Sequence, residues 1–367
     1  MKNAVIFIAA SHFNQPISLY FQGLARALVQ AGHTVHFLAD KKQQSTAPSK
    51  LYSLYFWPSE RPTGFKDALF LRSQILTYKP HIIISSFAAV NWCLLIGAYK
   101  RVPIRIAWVH TLSSQIKADT SYSAIWQNFL WLRKRWIYTF ATHIFVNSSA
   151  TKKDFEKSIG ISKPIFVRPY LLERESKPVL NFSERVALIL CVGRLDLSKG
   201  QEVLLRAWAL LKSEFPQTVV QFVGAGPQKE MLHKLSIELG LQSCVLFSGQ
   251  LSLDRVYDLM SRALVHVCPS QAEALGLVNI EALAFGTPVV ASATGGILDV
   301  IEEDKQGFLF APGQVDDLAL SLKKLLKDQS LWQRCSHAAK ARFVEKFSYA
   351  ESIEHHINEI TILVSGL

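Results

Sequence analysis

The chain has 367 residues, 49% of them hydrophobic and 19% charged, with a formal net charge of +11. That is enough apolar material for two cores and excludes a disordered chain, while no stretch approaches the roughly 20 consecutive apolar residues of a membrane span. Charge is uneven: residues 1–180 hold 23 Lys and Arg against 8 Asp and Glu, or +15, and the remainder 17 against 21, or −4. A basic half attracts anionic lipid, an anionic acceptor or nucleic acid; a surface charged for solubility is the alternative, and the near-neutral second half argues against uniform supercharging.

The apolar run 4–10 has strand length, and His12, Asn14 and Gln15 interrupt it before any small-residue cleavage site. It predicts a first strand, not a signal peptide. The expected location is cytoplasmic, either free or peripheral on the inner face of a membrane. A helix over 18–30, ended by Ala31-Gly32, and a strand over 34–38 complete a βαβ unit. Apolar runs at 82–85, 104–109, 144–146 and 165–167 follow, separated by helix-length segments. A second series has runs at 186–192, 219–223, 245–247, 264–268, 288–291 and 308–310, then three closing helices, the last over 349–363. Alternating β and α predicts mostly parallel, doubly wound sheets.

Between the two series, residues 163–181 hold Pro164, Pro169, Pro178 and six charged residues with no apolar period, which marks a linker. The expected division is an N-terminal domain over 1–178, a second domain over 179–347 and a terminal helix over 348–367. Cys93, Cys191, Cys244, Cys268 and Cys335 are scattered, without a C-x-x-C pair or a nearby His at ligand spacing. They read as free thiols, mostly buried, in a reducing compartment.

His110 stands at the carboxyl end of the strand 104–109, where parallel sheets bind ligands, although a lone His is more often structural. The segment 123–140, SAIWQNFLWLRKRWIYTF, joins Trp126, Trp131 and Trp136 to Arg133, Lys134 and Arg135. Two readings stand for it: an interfacial membrane helix, or core aromatics with a solvated cationic face.

In the second series, GRLDLSKG (193–200) follows the strand 188–192 and opens a helix. Arg194 and Lys199 then face the ligand end of the sheet, where Arg can hold a diphosphate bidentately and Lys as a point charge. A solvated turn with two cations is the alternative. In FVGAGP (222–227), Lys229 occupies the place of the third glycine of a dinucleotide fingerprint, which weakens a hydride-transfer reading.

The densest signal is LVHVCPSQAEALGLVNIEALAFGTPVVASATGG, residues 264–296. Two short apolar runs with the character of buried strands enclose an apolar helix. Glu281 sits in that helix, so its carboxylate needs hydrogen-bond donors. Glu273 lies in the preceding loop, and the amides of Leu275, Gly276 and Leu277 fall where helix N–H groups lack intrahelical partners and favour an anion. A phosphate pocket flanked by two carboxylates suits a nucleotide sugar. The alternative is that Glu273 caps the helix while Glu281 pairs with a core cation.

This segment resembles the E-x7-E motif of the retaining glycosyltransferases of family 4, which have the GT-B fold, and the G-R-x4-K-G pattern stands in the family's order. The resemblance covers nearly the whole chain, strongly over 189–325 and loosely before 167. It implies two Rossmann-like, doubly wound parallel-sheet domains facing across a cleft, the last helix crossing back to the first domain. By the same resemblance Glu273 contacts the donor sugar and Glu281 the ribose hydroxyls. The amides of Leu275 to Leu277, with Arg194 and Lys199, hold the diphosphate. Gly193 and Gly224 belong to the donor loops, Phe247 and Ser248 meet the nucleobase, and His110 touches the donor sugar. The chain departs from the family at Asn14-Gln15-Pro16, where relatives carry a Gly-Gly loop, at Ala225, where an acidic residue is common, and at Ala274-Leu275, where Gly-Phe is usual. These bear on the first-domain phosphate contact and on the choice of sugar.

The expected activity is retaining transfer from a nucleotide diphosphate sugar to an acceptor hydroxyl on a lipid, lipid-linked glycan or polysaccharide. No D-x-D pair or His/Cys cluster offers a metal site, so no metal or other cofactor is expected. The expected partners are the nucleotide-sugar donor, the acceptor and an anionic membrane surface, not nucleic acid. Two readings compete: a GT-B sugar-nucleotide epimerase, against which the E-x7-E spacing speaks, and a non-enzymatic membrane- or nucleic-acid-binding protein, which leaves Glu281 unexplained.

Overall fold

The computed structural model describes residues 3–13, 15–40, 50–114, 124–173 and 179–366; Asn14, Ser123 and Pro178 lie outside them. The chain divides into two compact units, Met1–Glu173 with Tyr349–Leu367, and Arg174–Ser348.

The first unit is built on seven parallel strands: β1 (Val5–Ala9), β2 (Thr34–Ala39), β3 (Ser53–Phe56), β4 (Ile82–Ser86), β5 (Ile104–Val109), β6 (His143–Val146) and β7 (Ile165–Val167). Their order is β3-β2-β1-β4-β5-β6-β7. Ile6 lies opposite Val35 on one side and Ile82 on the other. β4 is buried along its whole length, as a strand covered on both faces must be, which is why the inner strands read as unbroken apolar runs. β3 was not expected. It is the edge strand, its central residues only half-buried, so its sequence SLYF carries no continuous apolar signal.

The first helix starts at Pro16, two residues before the expected start. Proline fits that place because its missing N–H would have no partner there. The terminal helix Tyr349–Ser365 packs on this helix. Tyr349 donates its hydroxyl to the Gly23 carbonyl at 2.9 Å, and His356 Nδ1 meets the Tyr20 hydroxyl at 2.7 Å. Arg168 pairs with Glu359.

In the helix Ala124–Tyr138 the aromatic side chains divide between core and surface. Trp131 packs against the core that includes Ile137, Tyr138 and Phe155, whereas Trp126 and Trp136 are 49% and 57% exposed. Lys134 Nζ lies 5.0 Å from the Trp131 ring centroid and 5.6 Å from that of Tyr138.

The second unit has six parallel strands: β8 (Val186–Val192), β9 (Val219–Val223), β10 (Val245–Phe247), β11 (Ala263–Cys268), β12 (Val289–Ser292) and β13 (Gly307–Phe310). Their order is β10-β9-β8-β11-β12-β13. The buried Arg185, just before β8, ties the sheet to its helices. Its guanidinium donates to the carbonyls of Met260, Ala263, Phe285 and Gly286 and to Thr287 Oγ1, and it stacks over Trp332 at 5.2 Å. All five cysteines are free and four are buried.

Candidate active site

In the second unit the strand order reverses between β8 and β11, so the loops leaving their carboxyl ends diverge and open a crevice. The loop after β8 is the G-R-L-D-L-S-K-G segment, and the loop after β11 carries Glu273. The two loops touch: Gln271 N–H donates to the Ser198 carbonyl at 2.8 Å. At Gly200, with φ 65°, an added Cβ would lie 2.1 Å from the Pro269 carbonyl oxygen. The absence of a side chain at Gly200 thus admits the neighbouring loop.

That contact brings Lys199 to Glu273. The ammonium lies 2.5 Å from Glu273 Oε2, with side chains 26% and 12% exposed. Ser270 Oγ donates to the same carboxylate oxygen at 3.2 Å. Burial would lower the Lys199 pKa, but the charge of Glu273 leads a set of anionic neighbours that outweighs it and holds the value above the ordinary one. Lys199 is therefore a fixed cation across the physiological range.

Arg194 points the other way. Its side chain is 68% exposed, with Nε 3.4 Å from Asp196 Oδ2, while its carbonyl accepts from Gln201 Nε2 at 2.7 Å. Gly193 N–H donates to the Val223 carbonyl at 2.9 Å, and Gly224 N–H to the Gly249 carbonyl at 2.8 Å. A Cβ at Gly224 would stand 1.9 Å from Gly193 O, so this glycine too serves loop-on-loop packing. Phe247 stacks on Phe222 at 5.1 Å, and Ser248 Oγ accepts from Gln221 Nε2 at 2.7 Å.

The helix Leu277–Ala284 begins from Gly276, whose φ is 82° and which provides no side-chain cap. The amides of Leu275, Gly276 and Leu277 have no acceptor among the described residues. They form the anion-favouring helix start that the sequence indicates. Glu281 is 3% exposed and accepts from the Tyr257 hydroxyl at 3.1 Å. Two neighbours were missed by sequence reasoning. Tyr257 stands on another helix, and Asn279 is fully buried with Nδ2 and Oδ1 unpartnered. The signal for Asn279 was present, an amide inside an apolar helix.

His110 lies in the first unit, at the end of β5. Tyr170 hydrogen-bonds its Nδ1, and its Nε2 is buried without a partner. The ring stacks on Phe87 at 4.3 Å and on Tyr170 at 5.7 Å. Burial pushes its pKa down to about 3, so the imidazole is neutral. The direction of its bond with Tyr170 follows the ring tautomer, which sets whether Nε2 donates or accepts. Among the described residues no three His, Cys, Asp or Glu side chains converge as a metal cage.

Comparison with known proteins adds the family context. A family model described as "Glycosyl transferases group 1" matches residues 173–342, and one described as "Glycosyltransferase Family 4" matches residues 17–170. The sulfoquinovosyl transferase of Arabidopsis thaliana is 30% identical over 311 residues, which is 78% of this chain and 58% of that protein. A D-inositol 3-phosphate glycosyltransferase of Corynebacterium jeikeium is 36% identical over 186 residues, covering 49% of this chain and 44% of the other. The chain thus spans about half the length of the curated relatives it matches. Among solved structures, sucrose-phosphate synthase from Thermosynechococcus elongatus superposes with a TM-score of 0.79 at 20% identity, covering 100% of both chains. The Anabaena protein HepE, in complex with UDP and glucose, does so at 0.78 and 20%, again over 100% of both chains. These likenesses establish the GT-B fold.

Proposed function

Because the chain belongs to the GT-B glycosyltransferases of family 4 type, we propose that it transfers a sugar, with retention of configuration and without a metal, from a nucleotide diphosphate donor to an acceptor hydroxyl. The observation that carries this reading is the Lys199–Glu273 pair set beside the open amides of Leu275 to Leu277 at the switch point of the second sheet. The amides and Lys199 meet the diphosphate, and Arg194 swings in from solvent. Glu273 holds the sugar hydroxyls and Glu281 the ribose. Gly193 and Gly224 shape the donor loops, Phe247 and Ser248 meet the base, and His110 of the first unit is assigned the family's donor-sugar contact. The acceptor oxygen attacks the anomeric carbon from the side on which the diphosphate departs. The bond from that carbon to the phosphate oxygen breaks, and this oxygen takes the acceptor's proton. Stabilising the departing charge supplies most of the acceleration.

The acceptor is assigned to a lipid, a lipid-linked glycan or a polysaccharide, reached by peripheral attachment to the inner face of an anionic membrane. The helix Ala124–Tyr138 supports that attachment, with Trp126, Phe129, Leu132 and Trp136 exposed beside Arg133 and Arg135. No helix among the described residues is long and apolar enough to cross a membrane. The test is a panel of nucleotide sugars incubated with the full chain in excess chelator, with the product's anomeric configuration read by NMR. An inverted product, or activity only after metal is restored, would refute the mechanism. Release of a new nucleotide sugar instead of a glycoside would favour the epimerase.

A further inference from the structure

The first unit carries a cavity whose lining includes His110 and whose cations the donor chemistry does not use. It lies at the carboxyl ends of β4 and β5, beside His110, has a volume of about 570 Å³, and is walled in part by Arg61, Phe87, Trp131, Arg133 and Lys134. A hollow of about 470 Å³ over the switch point between β1 and β4 shares Arg61, Phe87, Asn91 and Arg133 with it. The two adjoin at these side chains and make one depression, whose smaller part is also walled by Asp40 and Glu60.

Arg61 comes from the segment after β3 and Arg133 from the helix Ala124–Tyr138, so chain segments far apart in sequence deliver both cations to one wall. Neither guanidinium has a partner among the described residues. Among the described residues no carboxylate lines the larger cavity, while Asp40 and Glu60 line the adjoining hollow, and guanidinium forks fit phosphate oxygens bidentately. Lys134 is already engaged over Trp131 and Tyr138.

Phe87 supplies a second, independent observation. Its φ is +51°, a left-handed conformation that costs a residue with a side chain about 1–2 kcal/mol, and its ring is 49% exposed while stacked on His110. Strain held at the mouth of a cavity is a mark of ligand sites. The ring offers a flat apolar face next to the two cations.

We propose that this depression binds a phosphate-bearing acceptor, its phosphate between Arg61 and Arg133 and its less polar part against Phe87 and Trp131. The proposal rests on the glycosyl-transfer reading and deepens it by naming the acceptor class. A phospholipid headgroup and a soluble polyol phosphate share this chemistry.

The experiment titrates the full chain calorimetrically with sn-glycerol 3-phosphate and with monomeric dihexanoyl phosphatidylglycerol. Arg61→Gln and Arg133→Gln are compared with Lys157→Gln, which removes an exposed charge outside the cavity. We expect at least one probe to bind, and each cavity variant to weaken it by about tenfold or more, the effect of one charge-assisted hydrogen bond, with Lys157→Gln near wild type. Binding of the lipid alone assigns a headgroup; equal binding of both assigns a soluble phosphate. Failure of both probes, or equal loss in all three variants, overturns the proposal. Titration of the same samples with UDP, GDP and ADP separates the two levels: nucleotide binding without probe binding sinks this inference alone, while absence of nucleotide binding sinks the transferase reading.

Discussion

Replacing Arg194 and Lys199 singly by Ala should separate two roles that look alike in the sequence. Arg194 is 68% exposed, so Arg194→Ala should leave stability within about 0.5 kcal/mol of wild type. Nucleoside diphosphate affinity should nevertheless fall by about 1.5–3 kcal/mol, tenfold to a hundredfold, the worth of a charge-assisted hydrogen bond. Lys199→Ala should show the same loss of affinity and, in addition, a loss of stability. It leaves Glu273, 12% exposed, without its ammonium and with Ser270 in its place. Breaking a buried pair on one side costs about 3–5 kcal/mol, and the partial exposure of Lys199 places this case at about 2–3. Because the folded Lys199 pKa is raised, the pair's stabilisation is fully present below the unfolded lysine value of about 10.4 and is lost only as pH rises through the folded value. The penalty should therefore be constant from pH 6 to 9. Urea unfolding gives the stabilities and calorimetry with UDP, GDP and ADP the affinities. Wild-type nucleotide affinity in both variants, or a Lys199→Ala penalty that vanishes by pH 9, would refute the reasoning.

Two further outcomes follow from buried groups. Arg185→Ala removes a guanidinium shared by four carbonyls and the Thr287 hydroxyl, of which Met260 O, Gly286 O and Thr287 Oγ1 keep a second partner, and should destabilise the second unit by about 3–5 kcal/mol; Arg185→Lys, a point charge without the fork, should recover less than half in urea unfolding. The His356 pKa is pushed down to about 3, first by burial and then by the charges of Arg168 and His355, so its contribution is complete above the unfolded value of about 6.5 and is lost as pH falls from there, by up to about 1.4 kcal/mol per unit. His356→Gln should flatten the drop in unfolding midpoint between pH 7 and 5, and an unchanged drop would refute the assignment.

The strands that the sequence reveals are those buried on both faces. β1, β4, β8 and β11 lie at the centres of their sheets, where helices on either side demand unbroken apolar runs. β3 escaped because an edge strand with half-buried centre residues has no such demand. The start of the first helix is a related case: Pro16 continues the preceding polar loop in sequence, yet its fixed φ and absent N–H suit it to open a helix. In the site, the local part was legible: Glu273, the amides that follow and Glu281 lie within one short segment. Contacts that depend on a second segment were not. Tyr257 reaches Glu281 from 24 positions away, and Arg61 and Phe87 carry no motif at all.

The same distinction explains why a half of the chain with a balance of −4 is assigned the anionic donor while the +15 half is assigned the acceptor. Half-chain totals count every charge, whereas an entering ligand meets only those left uncompensated. In the second unit the two loop cations already face carboxylates, Lys199 at Glu273 and Arg194 near Asp196. What remains open there is the run of amides at the start of the helix Leu277–Ala284. These carry partial positive charge whatever the neighbouring side chains do. A diphosphate held chiefly by such amides gains directional hydrogen bonds at short range, and Lys199 and Arg194 add to them by turning from their present partners. In the first unit the guanidinium groups of Arg61 and Arg133 make no ion pair among the described residues, with Asp40 and Glu60 lining only the smaller hollow, so their attraction is of the long-range kind that salt weakens. Under the proposed function, donor selection is therefore assigned to backbone geometry in one unit and acceptor capture to side-chain charge in the other.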